Sequence, residues 1–233
     1  MAEDTVARDG GGPAREPRRS GFAAVVREAA IVIALSLVIA TLVRIFLVQA
    51  FLIPSTSMQD TLLVGDRVLV SKLTTRFGDV ERGDIVVFAD PNGWLSAPED
   101  DGSGPGEWIR KTFQFVGVLP DDSEGHLIKR IVAVGGDTVV CCDDGRLTVN
   151  GVAVDESPYL RPGDAASATE FEVEVPEGEL FVMGDHRTNS GDSRVHGTVP
   201  EDRVVGRAFV VAWPVSRWSG LSDEGVFDGV PGS

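Results

Sequence analysis

The longest apolar stretch of the chain lies near its N-terminus. Ala29 to Val43 contains fifteen residues without a charge, Arg44 interrupts, and apolar residues continue to Ile53. The segment 29–48 therefore carries a single charge near its end, where an arginine side chain can reach the lipid headgroups. About 20 apolar residues suffice for a helix that crosses a bilayer, and this stretch lacks the polar face of a surface helix. The pattern predicts one transmembrane anchor at residues 29–48.

The charges that flank this anchor predict its orientation. Residues 1–28 are rich in glycine, proline and arginine, so we expect a disordered tail. They contain five arginines, whereas only Arg67 appears between the anchor and Lys72. This bias predicts a cytoplasmic N-terminus, a single crossing of the cell membrane and an extracytoplasmic remainder. Residues 48–50, Val-Gln-Ala, also resemble the small-residue pattern before a signal-peptide cut, and a cleaved, soluble product is the alternative.

Beyond the anchor, the pattern changes to short apolar or alternating runs separated by turns. The clearest is a hairpin at residues 146–154, in which Asn150-Gly151 predicts a type I′ turn. Seven further strands are predicted, at residues 66–70, 83–88, 128–134, 138–140, 171–175, 179–183 and 207–213. The fold class is therefore mainly β: a transmembrane helix followed by an extracytoplasmic domain of several antiparallel β-sheets, with a small inserted β-hairpin subdomain. The predicted boundaries are 49–215 for this domain, about 90–123 and 141–170 for two insertions, and 216–233 for a flexible tail.

Charge and cysteine content exclude several classes of function. The net charge is −15, whereas binding to nucleic-acid phosphates requires a basic face, so no nucleic-acid partner is expected. The two cysteines, Cys141 and Cys142, are adjacent, and the three histidines are scattered. None of these spacings is typical of a metal site, so the sequence predicts no metal and no cofactor. A vicinal disulfide and two unpaired thiols are both compatible with the cysteine pair.

Hydroxyl side chains directly after the apolar run raise the question of a serine nucleophile. The segment PSTSMQDTLL, residues 54–63, includes Ser57, and a nucleophilic serine needs a base. A lysine can be that base when it is neutral, which burial among apolar residues promotes. Of only three lysines, Lys129 lies inside an apolar strand and is favoured as the base. If Lys129 instead points outward, alternation along the strand buries Arg130.

A second polar cluster occupies residues 184–197, GDHRTNSGDSRVHG. Its charged residues are spaced to form ion pairs with each other, which would make the loop rigid: Asp185, Arg187, Asp192 and Arg194. Rigid polar loops are common positions for functional residues. A triad that uses His186 with Ser57 is therefore an alternative mechanism, although the GxSxG pattern of one large hydrolase class is absent.

Four motifs, in this order, resemble those of bacterial type I signal peptidases, the Ser-Lys serine endopeptidases also called leader peptidases. They are PSTSMQDTLLVGD at 54–66, RGDIVVF at 82–88, IKRIVAVGGD at 128–137 and GDHRTNSGDSR at 184–194. Together with the preceding anchor, they cover roughly residues 44–213. The resemblance implies an enzyme that removes signal peptides from exported preproteins, cutting after an Ala-x-Ala sequence. The implied partners are preproteins emerging from the export translocon and membrane lipid.

The same resemblance implies roles for individual residues, and residues 49–215 would be the catalytic domain. Ser57 matches the nucleophile, Lys129 the general base, and Ser55 the hydroxyl that joins the Ser57 backbone N–H in an oxyanion hole. Ser190 matches the serine that orients the lysine, with support from Asp192, Arg194, Asp185 and Arg187. The residues implied to line pockets for small substrate side chains are Phe51, Ile53, Met58, Leu62, Val87 and Ile128.

Other classes of protein remain alternatives at this point. Self-cleaving repressors share a Ser-Lys dyad but need a DNA-binding or soluble context, which an acidic, anchored chain lacks. A specialised processing peptidase of the same superfamily is closer, and a non-enzymatic anchored β-domain would not depend on Ser57 or Lys129. The chain departs from the resemblance in two places: His186 stands where many members carry Asn, and residues 90–123 match no motif.

Overall fold

The computed structural model describes residues 20–73, 80–91, 93–95, 125–222 and 225–232. Most of the predicted insertion at 90–123, and residues 1–19 of the predicted tail, lie outside the described residues. The chain divides into two compact units, Met1–Ile39 and Ala40–Ser233. The first contains most of an apolar helix, and the second contains all the β-strands.

The helix α1 extends from Ser20 to Phe46. Within it, Gly21–Val43 is long and apolar enough to cross a membrane, and its side chains are not buried by the protein. The helix starts earlier than the predicted anchor at 29–48, because residues 20–28 contain no proline and continue the helix. It also ends earlier, because Val48 is the first residue of a strand; apolar content alone does not distinguish a helix from a buried strand.

Twelve strands follow α1 within the described residues. The larger sheet contains β1 (Val48–Leu52), β2 (Arg67–Ser71), β3 (Ile85–Ala89), β4 (His126–Val134), β9 (Glu179–Met183), β10 (Val199–Pro200), β11 (Val204–Trp213) and β12 (Ser219–Gly220). The smaller contains β5 (Thr138–Asp143), β6 (Arg146–Val149), β7 (Val152–Ala153) and β8 (Phe171–Glu174). A short helix, α2, spans Ser193–His196. The predicted mainly β fold is confirmed.

All strand pairs in the two sheets are antiparallel. The larger sheet has the order β1-β2-β11-β3-β4-β9-β10, with β12 paired to β11, and the smaller has the order β7-β6-β5-β8. Three clusters of buried apolar side chains stabilise the fold, two associated with the larger sheet and one that joins the two sheets. Strand β4 runs through the middle and is buried on both faces from Ile128 to Ala133.

The smaller sheet contains the predicted hairpin. Asn150 and Gly151 connect β6 to β7 with φ angles of 52° and 77°, the left-handed conformation that a type I′ turn requires. At the other end of the neighbouring strand, Cys141 and Cys142 form a vicinal disulfide. The structure therefore selects one of the two cysteine states that the sequence allowed.

The C-terminal residues differ from the predicted flexible tail at 216–233. Ser219 and Gly220 form β12, and Arg217 contacts the Asp66 carboxylate with its Nε at 3.1 Å from both oxygens. Farther on, Phe227 and Val230 are buried in the cluster that joins the sheets. The glycine, serine and aspartate content of this segment obscured the two apolar residues that pack it against the core.

Candidate active site

The segment between β1 and β2 folds into a compact turn, here called the Ser57 turn (residues 54–63). Two backbone hydrogen bonds close it: Gln59 N to Thr56 O at 3.0 Å and Leu62 N to Met58 O at 2.7 Å. Met58 and Leu62 are fully buried and anchor the turn in the core, whereas Thr56 lies on the surface. The sequence of small hydroxyl residues followed by spaced apolar residues therefore holds Ser57 at the boundary between core and surface.

Lys129 contacts the hydroxyl of Ser57. Its Nζ donates a hydrogen bond to Ser57 Oγ at 2.6 Å, and the two residues are 3% and 7% exposed. Burial lowers the pKa of Lys129 to about 8, with a smaller lowering by Arg194, while the charges of Asp192 and Asp185 oppose the change. Near neutral pH, this amine is therefore close enough to its pKa to lose a proton.

Ser55 and the backbone of Ser57 lie beside this pair. The Ser55 Oγ is 3.3 Å from Ser57 Oγ, and Ser55 is exposed. Within the described part of the chain, the Ser57 N–H donates no backbone hydrogen bond. The Ser55 hydroxyl and the Ser57 N–H are the kind of donors that can stabilise an oxyanion.

The polar loop (residues 184–197) contributes one internal ion pair. Asp192 accepts hydrogen bonds from Arg194 Nε and from the Gly184 N–H, at 2.8 and 3.0 Å. Burial alone would raise the pKa of Asp192, but the hydrogen bonds and charge of Arg194 outweigh it and lower the pKa. Arg194 also donates to Arg187 O at 2.9 Å, so the ion pair fixes the loop backbone.

The other two charges of this loop do not pair with each other, contrary to the sequence expectation. Asp185 accepts two hydrogen bonds from Arg130, at 2.9 and 2.8 Å, and one from Thr61 at 2.5 Å. Arg187 pairs with Glu156, at 2.9 and 2.5 Å. Both pairs are buried, and both partners come from distant parts of the sequence, so local spacing could not indicate them.

Ser190 lies beside the backbone at Gly184. Its Oγ is buried and makes no hydrogen bond of normal geometry among the described residues, although it contributes to the low pKa of Asp192. A Cβ at Gly184 would collide with the Ser190 side chain and with the Ser57 carbonyl. Glycine at this position therefore allows the polar loop to approach the Ser57 turn.

Comparison with known proteins identifies the group to which this arrangement belongs. The family described as "Signal peptidase, peptidase S26" matches residues 26–213. Signal peptidase I of Mycobacterium tuberculosis is 39% identical over 220 residues, which cover 83% of this chain and 74% of the relative.

The chain belongs to the signal peptidase family, peptidase S26.

Signal peptidase I T of Bacillus subtilis is 35% identical over 194 residues, covering 79% of this chain and 84% of the relative. A solved signal peptidase I from Enterococcus faecalis V583 covers 55% of this chain at 24% identity, and its TM-score of 0.35 is too low for a comparison of folds. The resemblance that four motifs suggested is confirmed, and the chain is a peptidase of this family.

The six residues predicted to line substrate pockets all lie in one place. They belong to a single apolar cluster, to which the Ser57 turn itself contributes two residues, and are 0–7% exposed: Phe51, Ile53, Met58, Leu62, Val87 and Ile128. Their assignment as pocket residues stays a prediction.

His186 lies near the Ser57 turn, but its ring does not reach the hydroxyl. Its Nε2 is 2.6 Å from an Arg161 nitrogen that can only donate, so the proton on Nδ1 is directed to Thr56 O at 3.2 Å. The His186 backbone N–H donates to Ser57 O at 3.1 Å. Both ring nitrogens are thus engaged elsewhere, and the geometry does not favour a Ser-His triad.

The sequence did not indicate a third element of the site, the bridging segment (residues 154–166). Glu156 pairs with Arg187, the Tyr159 ring lies 4.1 Å from the Arg130 guanidinium, and Arg161 contacts His186. In the sequence, this segment has the composition of a polar loop within the predicted insertion at 141–170. No sequence signal pointed to this segment. Alternation along β4 predicted that either Lys129 or Arg130 is buried, whereas the structure buries both.

No group of three or more histidine, cysteine or acidic residues with a metal-binding arrangement occurs among the described residues.

Proposed function

We propose that this peptidase is a membrane-anchored serine endopeptidase that cleaves signal peptides from exported preproteins by a Ser57–Lys129 dyad. The observation that carries the proposal is the 2.6 Å contact between Lys129 Nζ and Ser57 Oγ, together with a Lys129 pKa of about 8. A nucleophile and a base within hydrogen-bond distance are the signature of covalent catalysis.

The geometry supports an acyl-enzyme mechanism. The neutral Lys129 amine accepts the proton of Ser57 as its Oγ attacks the scissile carbonyl carbon. The resulting ammonium then donates this proton to the leaving amine, which departs as the new N-terminus of the mature protein. The same amine then deprotonates a water molecule, which attacks the carbonyl carbon of the ester on Ser57. The bond between this carbon and Ser57 Oγ breaks, the lysine ammonium returns the proton to Oγ, and the signal peptide leaves with a new carboxylate.

The negative charge that develops on the carbonyl oxygen needs donors. The Ser57 N–H and the Ser55 hydroxyl are the proposed pair. The N–H makes no backbone hydrogen bond to any described residue, and the hydroxyl is exposed beside Ser57 Oγ. Removal of one such donor in a serine protease typically costs ~10²–10³ in kcat.

A preference for small residues before the cut is part of this proposal. The six predicted pocket residues are almost completely buried in a single cluster, so a substrate side chain that enters between them has to displace packed side chains. Larger side chains would overpack the cluster, which typically costs 1–3 kcal/mol. This supports the proposed Ala-x-Ala specificity.

The apolar helix supports membrane anchoring, and the arginine bias of residues 1–28 supports an N-terminus in the cytoplasm. The catalytic domain would then lie outside, where translocated preproteins emerge, and lipid and the export translocon would be its neighbours. Protease treatment of intact cells should digest the catalytic domain of a doubly tagged chain and spare an N-terminal tag. Protection of the catalytic domain would contradict this orientation.

The decisive experiment is cleavage of a preprotein with an Ala-x-Ala site by the full chain in detergent. We expect Ser57→Ala and Lys129→Ala to lose activity and His186→Ala to retain part of it. Lys72→Ala is the matched lysine control and should cleave normally. Substrates with leucine in place of either alanine test the small-residue preference.

Two results would contradict the proposal. Activity of Lys129→Ala together with loss in His186→Ala would exclude the lysine as the base. Equal cleavage of alanine and leucine substrates would exclude the proposed specificity while leaving the dyad intact.

A further inference from the structure

A groove of about 630 Å³ opens next to the Ser57 turn, within the range that is typical of ligand sites. Its walls come from three segments: the end of the Ser57 turn, the bridging segment and the strand β12 with the residues after it. The lining residues are Asp60, Thr61, Arg130, Ser157, Pro158, Tyr159, Leu160, Pro162, Ser219, Gly220, Leu221 and Ser222.

The floor of this groove is formed by Arg130 and Tyr159, and the charge of Arg130 is compensated by a buried partner. Arg130 lies over the Tyr159 ring at 4.1 Å and donates hydrogen bonds to Asp185 and to Gly83 O. Arg130 and Tyr159 are 1% and 7% exposed, so they present a nearly flat surface. Because Asp185 already compensates the guanidinium, the floor offers no free charge to an acidic ligand.

The rim is different, because it carries a carboxylate, that of Asp60, that forms no ion pair with any residue in the described part of the chain. Asp60 is exposed and is the only acidic residue among those that line the groove. The other rim side chains are hydroxyls, prolines and leucines. A surface of this kind suits an extended peptide that is neutral or basic at the position next to Asp60.

The groove lies within reach of the reacting serine. Asp60 follows Ser57 by three residues, and consecutive Cα atoms are 3.8 Å apart, so the two Cα atoms are at most about 11 Å apart. An extended substrate advances about 3.3 Å per residue. Three to five extended residues beyond the scissile bond are therefore long enough to span the distance to Asp60.

We propose that this groove binds the first residues of the mature protein, on the leaving side of the cut, and we rest this on the proposed function above. A preprotein continues on both sides of the scissile bond. None of the six residues predicted to hold the signal-peptide side lines the groove. The groove is thus separate from that site and adjoins the same turn, as a leaving-side subsite requires.

The test compares two substrates with the same signal-peptide side and with two or six residues after the cut. Wild-type kcat/KM should rise about fivefold or more with the longer substrate, which corresponds to about 1 kcal/mol of added binding. Gly220→Trp should bring this ratio close to one, because Gly220 has open space in front of it and an indole there fills the groove. Gly229→Trp is the matched control: Gly229 also has open space but does not line the groove, so the ratio should stay at the wild-type value.

A second comparison keeps the backbone unchanged. Asp60 has a φ of 86°, and Asn tolerates this conformation, so Asp60→Asn removes only the charge. With lysine or glutamate as the fourth residue after the cut, wild type should favour lysine about two- to fivefold, as expected for an exposed charge pair, and Asp60→Asn should not. If Gly220→Trp cleaves neither the short nor the long substrate, the comparison of lysine and glutamate substrates tests the proposal by itself.

An equal length dependence in wild type and Gly220→Trp would overturn the proposal, as would equal cleavage of the lysine and glutamate substrates by wild type. Either result would leave preprotein cleavage itself intact. Failure of the proposed function would look different, since wild type would then cleave no preprotein.

Discussion

The low pKa of Lys129 predicts an unusual pH dependence of cleavage. With a pKa of about 8, roughly one Lys129 in eleven is neutral at pH 7, and roughly nine in ten at pH 9. A lysine at its ordinary value of 10.5 would be neutral in only about one molecule in 3000 at pH 7. Burial thus raises the neutral fraction about 300-fold, equivalent to about 3 kcal/mol.

The assay is kcat/KM for one preprotein between pH 5.5 and 9.5 at constant ionic strength. We expect kcat/KM to rise about tenfold from pH 7 to a plateau above pH 9, with the acid limb near pH 8. His186→Asn is the control, and it should keep the limb at the same pH because the histidine ring does not contact Ser57 Oγ. A limb near pH 6.5 that disappears in His186→Asn would refute the lysine mechanism.

Three further variants test the support of the site. Glu156→Gln leaves the buried Arg187 charge without its partner and should lower the free energy of unfolding by about 3–5 kcal/mol in urea titrations; Asp202→Asn, in an exposed ion pair, should change it by less than about 1 kcal/mol. Phe227→Ala should cost about 3–5 kcal/mol in the same assay, because its ring is 5% exposed. Gly184→Ala should abolish cleavage, since the new Cβ would displace the Ser57 backbone; a folded, fully active variant would contradict this close approach.

The sequence predicted the elements whose signals are local. The hairpin at residues 146–154 was recognisable because Asn-Gly between two apolar runs has one favoured geometry. Lys129 was recognisable because a single lysine interrupts a run of apolar residues. The boundary between α1 and β1 was not, because the apolar residues continue through it and the partner strand β2 decides where the helix stops.

The buried ion pairs around the candidate site could not be predicted from the sequence, because their partners are far apart in it. Glu156 and Arg187 are 31 residues apart, and Asp185 and Arg130 are 55 apart. No periodicity relates such positions, and each residue alone reads as part of a solvated loop or a strand end. Similarly, Phe227 lies among glycines and acidic residues, and only its contact with the core shows that it docks the C-terminal segment.

Two adjacent basic residues in β4 show how the fold shifts the pKa values of neighbouring side chains in opposite directions. Burial alone would lower the pKa of both. For Arg130, the charge of Asp185 and its hydrogen bonds outweigh burial and raise the pKa, so the guanidinium stays charged. Lys129 hydrogen-bonds a neutral hydroxyl instead, and the charges of Asp185 and Asp192 do not offset burial, so its pKa falls. Arg130 engages both oxygens of Asp185, and among the described residues no hydrogen bond joins this carboxylate to the Lys129 amine. The amine therefore keeps the lowered pKa that a lysine needs to act as a base near neutral pH.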